Sequence, residues 1–175
     1  GMPFEVWNAE NPFGADGSGC TWDATVPIGD NAYEDGTDSQ YQDKFFEEYH
    51  HQLKRAALTP MMGNHDAHAS DALTQTGPFF DMFTNLNAQV PGQEAYYSYN
   101  VGKDLFVIVL DTTADEMIER TSAQYQWLEG QLTGAAAEAA TWVAVFFHHP
   151  PYTKGSHDSD RVDRLIRIRQ WWNPL

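Results

Sequence analysis

The chain holds a single cysteine, Cys20, among 175 residues. One thiol can build neither an internal disulfide framework nor a cysteine-based zinc cluster, so neither device holds this fold. Basic residues are scarce: 10 Lys and Arg stand against 25 Asp and Glu, for a formal net charge of -15. Such a surface repels a phosphate backbone, which argues against nucleic-acid binding. No run is long and apolar enough to span a membrane, and Gly1-Met2-Pro3-Phe4 shows no basic region leading into an apolar stretch. What the chain does have is core-forming material. Hydrophobic residues make up 42% and aromatics 14%, enough to pack one domain of this length. A negative surface still admits a small phosphate substrate, because bound cations would dominate the field inside a site.

Residues 1–20 are rich in Gly, Asn, Asp and Pro and read as irregular. A short strand is expected over 24–28, running into Gly29-Asp30-Asn31. Tyr41, Phe45, Tyr49, Leu53 and Ala57 recur at four-residue spacing, which predicts one helix over 39–58, capped by Asp38 or Ser39. A short strand over 59–62 leads into Gly63-Asn64-His65-Asp66, and a helix is expected around 77–86. Two strands, 96–101 and 105–110, flank a turn at Gly102-Lys103-Asp104. Thr121 and Gln124 fit a capping box, with Tyr125, Leu128 and Leu132 on one face of the helix that follows. Residues 142–147 read as a buried strand. The last helix is expected over 160–172, with Val162, Leu165 and Trp172 inward. The tryptophans are core candidates. Strands alternating with helices, plus one hairpin, predict a single layered α/β domain over 1–175 with a mixed sheet.

Three polar clusters each follow an apolar strand-like run: Gly29 to Tyr33, Gly63 to Asp66, and His148-His149. In α/β sheets the loops beyond the strand carboxyl ends share one edge, so clusters distant in sequence can converge there. Carboxylate, phenolate, amide oxygen and imidazole donors suit iron, zinc or manganese. Gly29 and Gly63 let the backbone turn sharply and approach a bound anion.

In these residues the chain resembles the calcineurin-like metallophosphoesterases of the purple acid phosphatase type. Gly29-Asp30-Asn31-Ala32-Tyr33 is similar to their GDxxY element, Gly63-Asn64-His65-Asp66 to GNH[DE], and Val145-Phe146-Phe147-His148 to VxxH. The resemblance covers about residues 22–175. It implies an α/β/β/α-type sandwich and a dinuclear centre of iron paired with iron, zinc or manganese. Asp30 would bridge the metals, Tyr33 would bind the first, and Asn64 and His148 the second. His65 would face the substrate and assist the leaving group, and His157 would contact phosphate. The implied reaction is hydrolysis of small phosphate monoesters. The family's opening FGDxG element has only a distorted echo here, at Phe13-Gly14-Ala15-Asp16-Gly17, and its closing GHxH element is not found. The domain is therefore expected to be incomplete at both ends, with an additional chain or segment completing the metal site. The family leans to extracellular, periplasmic or lysosome-like compartments.

Other residues carry plainer expectations. His149 reads as packing or as support behind the ligands, and Asp111 as a structural hydrogen-bond acceptor. His50 and His51 read as surface residues. His68 receives no role. Arg161, Arg164, Arg167 and Arg169 form a solvated face of the last helix that offsets the acidic remainder. Two other functions stay open: a non-catalytic fragment or pseudoenzyme with an incomplete metal set, and, within the superfamily, a phosphodiesterase or nucleotide pyrophosphatase.

Overall fold

The computed structural model describes residues 23–84 and 86–175. The expected N-terminal loop, with Asp16 and Cys20, lies outside them.

The described chain is mixed α/β, with two sheets. Strands β1 (Ala24–Thr25) and β2 (Ala57–Leu58) pair in parallel. β3 (Tyr97–Val101), β4 (Leu105–Val109) and β5 (Trp142–Phe146) form the second sheet in that order. β3 and β4 are an antiparallel hairpin, while β4 and β5 run parallel. The expected mixed sheet is thus present. The helices, in chain order, are α1 (Asp38–Tyr41), α2 (His50–Leu53), α3 (Pro78–Met82), α4 (Asp115–Ile118), α5 (Ala123–Leu132), α6 (Ala135–Ala139) and α7 (Asp163–Trp171).

Alternation along β4 serves two apolar clusters. Phe106, Ile108 and Leu110 join Tyr125, Leu128, Ile168 and Trp172, which come from α5 and the α7 end. Val107 and Val109 join Met61 and Tyr97, with Val26 against them. Residues i and i+2 of a strand face one side, so β4 is buried on both faces.

The helix expected over 39–58 is broken into pieces. Between α1 and α2 the chain widens into a π-turn over Gln42–Phe46, and Glu47 N–H reaches back to the Gln42 carbonyl at 3.0 Å. A strict four-residue repeat drifts around an α-helix of 3.6 residues per turn. The wider turn cancels that drift, and Tyr41 and Phe45 are both buried. Ala57, expected on the helix, pairs in β2 instead. The cap is Thr37, not Asp38 or Ser39: its hydroxyl accepts from Gln40 N–H, and the Gln40 side chain accepts from Thr37 N–H.

Three other expectations shift. Ser122, not Thr121, caps α5 through Tyr125 N–H. Residues 59–62 are not a regular strand. β5 is not buried: Trp142 is 71% exposed, and Val143 and Val145 are also exposed. Among the described residues β5 has β4 on one side and no strand on the other. Apolar content marks a strand but does not say how many neighbours it has. His50 and His51 are exposed, as expected. The arginines are less solvated than expected. Arg164 pairs with Asp115, Arg167 with Glu119 and Asp163, and Arg169 with Asp160. These pairs tie α7 to α4 and to the loop before α7.

Candidate metal centre

Parallel pairing puts the carboxyl ends of β1 and β2 side by side, and likewise those of β4 and β5. The loops leaving β1, β2 and β5 meet at one place, as the sequence implied. Gly29 and Asp30 both take left-handed backbone, at φ +85° and +53°. Asp tolerates that region better than most side chains. The double turn brings the loop after β1 against Gly63.

The contact between Gly29 and Gly63 is the reason for both glycines. A methyl on Gly29 would fall 2.6 Å from His148 Nδ1 and 2.8 Å from Gly63 Cα. One on Gly63 would overlap the Asp30 backbone nitrogen and carboxylate. The sequence reading assigned these glycines to anion approach; their evident work is letting the two loops touch.

Asp30 lies at the centre. Its Oδ1 accepts from His65 N–H at 3.0 Å, and its Oδ2 accepts from the Tyr33 hydroxyl at 2.8 Å. On the Oδ1 side, His148 Nε2 is 3.4 Å away and is also 3.0 Å from Asn64 Oδ1. The Asp30 carboxylate therefore faces Tyr33 with one oxygen and the Asn64–His148 pair with the other. Burial alone would raise its pKa. The His65 N–H and the Tyr33 hydroxyl, with the His148 and His65 imidazoles, outweigh burial and hold it below its ordinary value. The same hydrogen bond raises the Tyr33 hydroxyl above its own.

His148 is oriented for a cation. Its Nδ1 lies 2.7 Å from the Ile28 carbonyl oxygen. A carbonyl only accepts, so Nδ1 carries the proton, and in the neutral ring Nε2 presents a lone pair. That lone pair faces two oxygens, Asp30 Oδ1 and Asn64 Oδ1. In the neutral ring the three acceptors converge on one point and could hold a metal ion; in the imidazolium Nε2–H donates to the two oxygens instead. The donor set is mixed: among the described residues no three His, Cys, Asp or Glu side chains gather at one point.

His65 stands beside this group. Its Nδ1 is 2.7 Å from the Glu34 carbonyl oxygen, and its ring leans on Tyr33 at 4.3 Å. His149 is turned away and packs, as expected. Its Nδ1 lies 2.8 Å from Thr112 Oγ1, and burial pushes its pKa down to about 4. His157 is exposed on the loop between β5 and α7, and no hydrogen bond joins it to the Asp30 group among the described residues.

Asp66 was missed as a functional residue. It is fully buried. It accepts from the backbone of Asn31, Ala32 and Gly63, from the Asn31 amide and from the Tyr41 hydroxyl. One carboxylate thus staples the loop after β1 to the loop after β2. The available signal was the acidic residue closing Gly63-Asn64-His65-Asp66 beside buried Met61 and Met62.

Asp111, at the end of β4, has the structural role expected of it. It accepts from Thr113 N–H at 2.8 Å and from the Thr113 hydroxyl at 2.9 Å, while Gln124 clamps its backbone N–H and carbonyl. Burial raises its pKa from 3.8 to about 6. Between those values the folded chain keeps a proton that the unfolded chain has lost. The stabilisation is complete below about 4 and is lost as pH rises through about 6. The loss is on the order of 3 kcal/mol. Urea melts of wild type and Asp111→Asn are expected to diverge over that window, wild type losing stability relative to the variant as pH rises. Parallel curves would refute a buried, titrating Asp111.

Two comparisons bear on this geometry. The family model described as calcineurin-like phosphoesterase matches residues 13–170. A curated relative, purple acid phosphatase 18 of Arabidopsis thaliana, is 28% identical over 120 residues. That match covers 63% of this chain, which spans about a quarter (26%) of the relative's length.

Proposed function

The chain belongs to the calcineurin-like phosphoesterase family, and from that premise we propose that it hydrolyses phosphate monoesters at a two-metal centre of the purple acid phosphatase kind. Phosphoester hydrolysis and a dinuclear metal centre are general to the family. The observation that carries the finer reading is the two-sided Asp30 carboxylate, with Tyr33 on one oxygen and Asn64 and His148 on the other. Asp30 would be shared between the two metals, Tyr33 would hold an iron, and Asn64 with His148 would hold a second iron, a zinc or a manganese. Such a pair, when bound, supplies Lewis acidity toward phosphoryl oxygens and lowers the pKa of water.

The chain's own groups do the rest. The Ile28 carbonyl fixes the His148 tautomer, and the Glu34 carbonyl fixes His65 through Nδ1. His65 Nε2 is then left to meet the ester oxygen; only as the imidazolium, with a proton on each ring nitrogen, can it hand the Nε2 proton to the leaving alcohol, a role typically worth about 10²–10⁴-fold. His157 contacts phosphate from its loop. Four donors are few for two metals; the remainder comes from an additional segment or chain. The substrate is a small phosphate ester in an extracellular, periplasmic or lysosome-like compartment. No described helix is long and apolar enough to cross a membrane. A non-catalytic, pseudoenzyme reading draws on the fact that, among the described residues, no three His, Cys, Asp or Glu side chains gather at one point.

Elemental analysis with p-nitrophenyl phosphate turnover separates the two. Wild type is expected to hold iron with a second metal and to turn over. His148→Ala should lose the second metal and at least about a hundredfold of activity, the order of loss when positioning at a reacting centre fails. A wild type without metal or turnover would leave the pseudoenzyme reading. Full metal and turnover in His148→Ala would remove that residue from the site.

A further inference from the structure

A cleft of about 720 Å³ opens beside the Asp30 group, between the β1 segment and the helical stretch from Lys44 to Leu53. Asp30 and Tyr33 line it, so it is continuous with the candidate centre. Most of the lining is apolar, with Val26, Ile28, Tyr49 and Leu53 contributing. Besides Asp30 and Tyr33, the polar lining is Thr25, Lys44 and the almost wholly buried Asn31 and Gln52. Among the described residues Lys44 is the one basic side chain there.

The two walls run in opposite directions. The helical stretch begins at the centre, where the Tyr41 hydroxyl reaches Asp66 and Asp66 holds Asn31. It ends at the start of β1, where Ala57 pairs with Ala24. Lys44, about one turn after Tyr41, therefore stands at the Asp30 end of the cleft, and Leu53 at the far end.

Lys44 is exposed and makes no ion pair among the described residues. The α7 arginines and Lys154, by contrast, are engaged by carboxylates. The acidic neighbours Asp43, Glu47 and Glu48 are exposed and do not line the cleft. An ammonium on a flexible stem can follow an anion brought to its end of the cleft. A net charge of -15 repels a phosphate dianion at a distance, and a cation at the point of entry counters that field.

We propose that Lys44 is a substrate-binding residue that grips the phosphate at the Asp30 end, and that the cleft behind it takes an apolar alcohol half. Apolar walls leading away from the phosphate favour such a group over a polyol. The phosphate end rests on the phosphoesterase reading. The apolar end does not, because an apolar alcohol needs no metal to enter.

The test is calorimetry of the metal-loaded chain with methylphosphonate and benzylphosphonate, run beside p-nitrophenyl phosphate kinetics. The two ligands share an anion and differ by an apolar ring. Benzylphosphonate is expected to bind about tenfold more tightly, as part of one ring leaving water predicts. Lys44→Gln should weaken both ligands about fivefold, the upper range for an exposed charge pair, and raise KM by the same factor. High salt should shrink that loss, and Lys44→Arg should stay within about twofold of wild type. Ile28→Asn should cut the advantage of the ring to about threefold, a ratio read on one preparation. Lys44→Gln binding both phosphonates like wild type overturns the lysine contact, and so does a loss that Lys44→Arg does not recover. Equal binding of the two phosphonates to wild type, or a ring advantage untouched by Ile28→Asn, overturns the apolar subsite. Turnover of p-nitrophenyl phosphate with neither effect would defeat this inference alone. A wild type without metal or turnover would defeat the phosphoesterase reading, and benzyl alcohol on the chelator-treated chain then decides the cleft: NMR shifts in the β1 segment and α2 keep it, and their absence removes it.

Discussion

Asp66→Asn is expected to cost about 3–5 kcal/mol of folding stability, the combined penalty for leaving two or more buried donors without an acceptor at about 1–3 kcal/mol each. For a chain of this size that lowers the melting temperature by roughly 10 °C. The carboxylate serves five donors. An amide keeps one acceptor oxygen and turns its NH₂ toward groups that are themselves donors. Tyr41 sharpens the comparison. Burial, with Asp66 beside it, pushes the Tyr41 hydroxyl well above its ordinary pKa, so it remains a donor throughout the working pH range. Tyr41→Phe removes that donor and leaves the backbone staple intact, at a cost of about 1–2 kcal/mol. Denaturant melts of both variants decide it. An Asp66→Asn loss no greater than that of Tyr41→Phe would show that the carboxylate does not bind the two loops together. Metal content should fall with Asp66→Asn as well, because the Asn64 loop would no longer be held against Asp30.

The convergence of the loops after β1, β2 and β5 was legible because each cluster closes an apolar run. Strand-end loops of a parallel pair share an edge, which accounts for the loops after β1 and β2; β5 belongs to the second sheet, and its loop joins them through His148. The β3–β4 hairpin was legible for a local reason: two strand-forming runs, the second continuously apolar, flank Gly102-Lys103-Asp104. Features fixed by partners far along the chain were not legible. Asp66 belongs to a residue type that is usually exposed; its burial depends on donors from Asn31, Ala32 and Tyr41. Exposure of β5 depends on sheet order, which its own apolar sequence does not encode. Gln124 fits a capping box by spacing, yet it turns inward because the backbone of Asp111 offers it a donor and an acceptor. The close approach of Gly29 and Gly63 is a contact across 33 intervening positions, so no local rule for glycine reveals it.

Gly63→Ala isolates the candidate centre from the staple. The added methyl meets the Asp30 backbone nitrogen and carboxylate, neither of which is the free end of a flexible chain. Asp30 already occupies left-handed backbone at φ +53°, so it has little room to turn further without leaving the position that serves Tyr33 and His148 together. The expected result is a chain that folds, at a cost of about 1–3 kcal/mol from overpacking. If Asp30 holds the metals as proposed, displacing its carboxylate by about 1 Å should lower turnover of p-nitrophenyl phosphate on the order of a hundredfold. Metal content per chain should fall in parallel, since the displaced oxygen is the one shared with His65 N–H and the His148–Asn64 pair. Elemental analysis, a thermal melt and one kinetic assay on the same preparation read all three quantities. A folded Gly63→Ala with wild-type metal and turnover would mean that Asp30 is not where the chemistry is held. A loss of stability with metal and turnover unchanged would make the glycine contact a matter of packing alone.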